Sequence, residues 1–159
     1  MDTSEPSADA RLSSVSSLVT GAGAVAVAAG GALHLKIWDQ DYRDLPEGAI
    51  PGLWVVQTGF PINAAVSVVV AAAMLAVALG AVARGRHVVL ATALAVQIGS
   101  IVALVASRGP GIFGWSEKGY DGGADTILVV EIVAVVLILA ALLSGRPGTF
   151  RRVPAPAPT

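Results

Sequence analysis

The sequence predicts an all-α fold, a four-helix transmembrane bundle, and three observations predict it. Apolar residues fill 55% of the 159 positions and charged residues only 13%, against roughly a quarter charged in soluble domains. Mean hydropathy is +0.75. The chain also divides into four apolar runs, each of about 18 residues or more and so long enough to cross a hydrocarbon core, with nearly all charges in the tails and connections. The lipid bilayer is therefore the expected solvent and first partner. A formal charge of −1 with no basic face excludes nucleic acid as a partner. The absence of cysteine excludes disulfides, thiolate nucleophiles, iron–sulfur clusters and cysteine-ligated zinc.

Residues 1–14, MDTSEPSADARLSS, are too polar to bury a core and are expected to form a disordered tail. The first span is placed at 15–35. A cleaved signal peptide is the competing reading, but its leading region should be basic, whereas Asp2, Glu5 and Asp9 outnumber Arg11. Residues 36–61 form a loop carrying Trp38, Tyr42 and Trp54, rings of the type enriched at lipid headgroups. Its last part is apolar enough to open the second span, placed at 53–83, with Pro61 either kinking that helix or marking its true start. Arg84-Gly85-Arg86 turns the chain straight back into the third span, 87–107. A glycine-rich connection with Pro110 leads to the fourth, 126–143, TILVVEIVAVVLILAALL, and 145–159 is a basic, proline-rich tail expected to be extended.

Lysine and arginine near span ends set orientation. With both termini cytoplasmic, that side holds Arg11, Arg84, Arg86, Arg146, Arg151 and Arg152, against Lys36, Arg43, Arg108 and Lys118 outside. The long aromatic loops then face out of the cell membrane. Gly21, Gly23, Gly30 and Gly31 give the first span a small-residue surface, on which helices approach closely in lipid. Such a core leaves little room for a large cofactor.

Glu131 is the one carboxylate inside the fourth span. An ionisable group at mid-bilayer costs roughly 2.5–3.5 kcal/mol on insertion scales, so it is expected to find a partner inside the bundle. His34 ends the first span and Arg108 the third, so either could pair with it from the outer layer. Asn63 and Gln97 are expected to make interhelical hydrogen bonds, and Gln57 is a further member of the outer polar layer. Haem ligation by His34 and His87 is excluded within one chain, because they lie at opposite ends of spans about 30 Å long. No zinc-protease, nucleophile-elbow or phosphate-loop pattern occurs, and GAGAVAVAAGG follows no strand. No cofactor, metal site or catalytic residue is therefore assigned.

His34-Leu35-Lys36-Ile37-Trp38 with Tyr42-Arg43-Asp44-Leu45-Pro46, and Gly111-Ile112-Phe113-Gly114-Trp115-Ser116-Glu117 with Val129-Val130-Glu131, carry a likeness. Over roughly residues 25–143 the chain resembles an uncharacterised family of small four-span membrane proteins common in actinobacteria, with HLxLW…GYR…P and GLFGFxE…VVE motifs. Asp41 stands where that pattern has glycine, and Trp115 where it has phenylalanine. The resemblance implies a multi-pass protein and marks His34, Tyr42, Arg43 and Glu131 as motif positions, without implying an activity. A looser likeness to DoxX-like proteins rests on span count. The leading expectation is a structural or accessory membrane subunit, acting with copies of itself or with a complex, in which His34, Tyr42, Arg43, Arg108 and Glu131 form a polar cluster around a buried Glu131 clasp. The alternatives are a small proton-coupled carrier using Glu131 and a lipid- or quinone-linked membrane enzyme.

Overall fold

The computed structural model describes residues 8–82, 84–117 and 122–144. Four α-helices run α1 Ala8–Ile37, α2 Leu53–Ala78, α3 Arg86–Arg108 and α4 Gly122–Ser144, and all four are long and apolar enough to cross a membrane. Among the described residues there is no strand, only an isolated bridge between Ile112 and Trp115. The fold is an all-α four-helix bundle. Val25, Val69, Val102, Val136 and Leu143 lie exposed on the outside of all four helices. A bundle apolar on its exterior as well as in its core is built for lipid.

Three boundaries differ from the sequence reading. α1 begins at Ala8, inside the expected tail, because Ala8, Ala10 and Leu12 are good helix formers that extend a helix already nucleated by the span; residues 1–7 and the whole tail 145–159 lie outside the described residues. α4 starts at Gly122 rather than Thr126. α2 starts at Leu53, keeps Pro61 in its interior and ends at Ala78 rather than at 83. A proline at 61 cannot donate to the carbonyl of Gln57, four residues earlier. The indole N–H of Trp38 donates to that carbonyl instead, at 3.1 Å. One ring from the neighbouring segment thus satisfies the group the proline orphans, which is how the helix passes through it.

α1 packs most extensively on α2 and then on α4, α3 packs mainly on α4, and α2–α3 is the loosest of these seams. Gly31 makes the α1–α2 contact possible, since a Cβ there would lie 2.7 Å from Cβ of Ser67 and 3.3 Å from the carbonyl of Ala64. Gly21 has no such need, its nearest neighbour being 3.9 Å away. Val27, Met74, Leu90, Ala93, Ala134 and Ile138 are fully buried and form a dry core across the half of the bundle nearer the α2–α3 turn. At that far end Arg86 donates to the Ser16 hydroxyl at 2.8 Å and to the Ala141 carbonyl at 2.6 Å, while Ser144 donates to Ser16 at 3.2 Å. One guanidinium there ties α1, α3 and α4 together and satisfies a carbonyl in the last turn of α4, where cations are favoured.

The opposite end carries a cap. α1 passes into a π-helical turn, Trp38–Tyr42, closed by the Arg43 amide on the Trp38 carbonyl at 2.8 Å. Gln57 donates to the Tyr42 and Leu45 carbonyls, both at 3.0 Å, pinning this turn to α2. After α3, Ile112 and Trp115 exchange two backbone hydrogen bonds of 2.7 Å around Phe113 and Gly114, both at positive φ, 47° and 87°. That pair of signs is a type I′ turn. It rests on Gly52, where φ is +72° and a Cβ would stand 2.2 Å from the Trp115 amide nitrogen, so only glycine fits. Trp115 is thereby pressed into a small core with Leu53, Val56, Tyr42 and Phe60.

Candidate functional site

Four helices deliver one polar group each to a single layer beneath the cap. Counting from the cap ends at about 1.5 Å per residue, Glu131 lies nine residues into α4, Ser100 eight residues before the end of α3, Asn63 ten residues into α2, and His34 eight residues before the end of the π-helical turn. All therefore fall at about 12–15 Å. His34 and Glu131 are 4% and 1% exposed. The His34 Nε2 to Glu131 Oε1 distance is 3.0 Å. The Ser100 hydroxyl donates to the same Oε1, and the Asn63 amide donates to Ser100 at 3.2 Å. His34 Nε2 is also 3.3 Å from Ser100 Oγ. The ring of His34 meets Phe60 edge to face at 4.9 Å, and Phe60 in turn meets Tyr42, which meets Trp115.

Two atoms of this buried pair, Nδ1 of His34 and Oε2 of Glu131, have no hydrogen-bond partner. One turn deeper, buried Gln97 and Ser67 each keep an unpartnered oxygen. Gln97 was expected to bond across helices, but its Oε1 meets no donor.

The expected five-residue cluster divides into three. His34 and Glu131 form the buried pair. Arg108 is not on Glu131; it pairs with Glu117 at 2.9 Å and folds back to Ser107 Oγ and the Leu104 carbonyl. Tyr42 joins it, donating to the other oxygen of Glu117 at 2.9 Å. Arg43 belongs to neither, since it is exposed, pairs with Asp39 at 2.7 Å and lies 5.7 Å from the centre of the Trp38 ring. That bond to Asp39 raises its pKa further above its ordinary value. Starting α4 at Thr126 sets Glu131 four residues, about 6 Å, too shallow, which leaves both His34 and Arg108 as its partners. Ser100 and Glu117 are the partners the sequence reading missed. Ser100 was legible by register, since it shares the depth of Glu131 once both helix ends are known. Glu117 carried no signal beyond its place in a turn motif.

A partly open cavity of about 210 Å³ lies in the loose α2–α3 seam, directly over this layer. His34, Asn63 and Ser100 form its floor, Phe60 and Trp115 its walls, and the Arg108–Glu117 pair stands at its cap end. Clefts lined mostly by apolar groups with a few convergent polar ones are the usual form of a small-molecule site.

The chain matches no protein-family model, and neither curated proteins nor solved structures give a match. Fold and geometry define the class: an all-α bundle of four helices long and apolar enough to cross a membrane, with a buried histidine–carboxylate pair under a cavity.

Proposed function

We propose that this protein binds a small molecule in the cavity at the cap end and couples that binding to protonation of the His34–Glu131 pair. The carrying observation is the pair itself: it is buried, it borders the cavity through His34, and it keeps two unpartnered atoms, Nδ1 and Oε2, on which a proton can be taken up. A clasp that served packing alone would gain from satisfying both. The dry core and the Arg86 tie close the other half, so the cavity stops short of the far end and opens only within the cap half, the arrangement of one face of a proton-coupled carrier. The arginine balance of the connections supports placing the cap outside the cell membrane and both termini inside.

The chain holds two histidines, so ¹⁵N-histidine NMR with His87→Asn isolates His34. As pH is varied, its ring nitrogens are expected to report a protonation step that moves in Glu131→Gln. A ring that keeps one state throughout, in both proteins, removes the proposal.

The structural reading has its own support, since the pair and Ser100 join α1, α4 and α3. It predicts loss of stability, without any protonation step, when Glu131 is changed.

A further inference from the structure

We infer that the cavity takes the head of a lipid-soluble para-quinone, a neutral six-membered ring with an oxygen at each end, entering sideways from the bilayer between α2 and α3. This rests on the binding site proposed above and names its ligand. Size comes first. An apolar cavity of about 150 Å³ holds a benzene, so about 210 Å³ holds one ring with small substituents.

Charge comes second. Each charged group at the cavity has its counter-charge within the fold, Arg108 with Glu117 and His34 with Glu131, so a neutral ligand is matched and an ion is not. Shape and polarity come third. Phe60 and Trp115 give aromatic walls, and polar groups stand at both ends. At the floor Asn63 spends one of its two amide N–H groups on Ser100, leaving the other to donate to a ring oxygen. At the opposite end the Arg108 guanidinium lies folded over Ser107 and Leu104, between one and two helical turns from Ser100, or roughly 6–10 Å. A ring bearing oxygens on opposite carbons fits between such ends.

The route of entry is the last point. Gly59 and Ala103, on facing helices, line the cavity and are themselves exposed. They lie six residues into α2 and five residues before the end of α3, about 8–9 Å below the cap ends and within the membrane-crossing length. The opening between them therefore meets lipid, and a ring carrying an isoprenoid tail can sit inside while its tail stays in the bilayer.

The test uses the full chain in mild detergent, titrated with tail-less 2,3-dimethoxy-5-methyl-1,4-benzoquinone and, in parallel, with p-xylene, a ring without oxygens. Calorimetry is expected to show saturable quinone binding at least tenfold tighter than any xylene binding. Gly59→Leu and Ala103→Phe fill the opening from opposite sides, and a Cβ at 59 meets nothing within 4 Å. Either is expected to weaken quinone binding at least tenfold with the melting temperature unchanged or raised. Absent saturable binding, xylene binding as tightly as the quinone, or quinone binding unaffected by either stable variant each overturns the assignment. If the His34 protonation step persists alongside such a result, the ligand class alone fails; if that step is also missing, the site reading fails with it.

Discussion

Glu131 shows how one residue is tolerated where its type is disfavoured. Its Oε1 collects the imidazole of His34 and the hydroxyl of Ser100, and each bond to a charged group contributes about 1.5–3 kcal/mol where it is made. Glu131→Ala leaves both donors without an acceptor inside a bundle, so it is expected to lower stability by about 1–3 kcal/mol. Glu131→Gln keeps one acceptor oxygen and is expected to lose less than half of that. Reversible unfolding of both variants in mixed micelles decides it; equal losses would mean the carboxylate holds nothing together. Phe113 illustrates the opposite situation. It occupies a backbone conformation that suits glycine or asparagine, 79% exposed and tilted against Trp54 at a centroid distance of 6.0 Å. An exposed aromatic pair at that end of the bundle suits the headgroup layer.

Among the elements, α1 makes the two most extensive seams, with α2 and with α4, and its glycines are not equivalent. Gly31→Ala drives a methyl to within 2.7 Å of Ser67 and 3.3 Å of a backbone carbonyl, so α1 and α2 must separate. The expected cost is about 1–3 kcal/mol, as for other overpacked interiors. Gly21→Ala meets only an ordinary contact at 3.9 Å and is expected to gain about 0.5–1 kcal/mol from helix propensity. Melting curves of the two variants should therefore shift in opposite directions, and a shared direction would show that the α1–α2 spacing is not set at Gly31. In α2 the same local logic governs Pro61, whose missing donor is replaced by Trp38 from outside the helix. A sequence rule that ends helices at proline reads half of that arrangement; the other half is tertiary.

Over the whole molecule, polarity is graded from one end to the other. The cap holds the Tyr42–Glu117–Arg108 set, the next layer the His34–Glu131 pair, then come Gln97 and Ser67, then the dry core, and finally the Arg86 tie. The cavity lies in the cap half alone, so the proposed carrier reading depends on which way the bundle faces. The chain lacks cysteine, so single cysteines report it cleanly. Phe113→Cys in intact cells is expected to react with a membrane-impermeant maleimide, and Arg84→Cys only after permeabilisation. The reverse pattern would turn the bundle over and place the cavity on the cytoplasmic side.

Hydropathy and period alone determined the all-α bundle of four long apolar helices, because burying backbone in lipid forces every hydrogen bond inward and a run of apolar residues is visible without knowing its neighbours. They also singled out Glu131 and His34, since an ionisable group within an apolar run stands out against its background. Partner choice was decided only in three dimensions. The sequence left Glu131 both Arg108 and His34 as partners; the structure sets it on His34 and Ser100 and turns Arg108 to Glu117, on a turn seated on Gly52. The cavity was likewise illegible, because a void records what the helices on either side fail to fill, and no single stretch of sequence contains that.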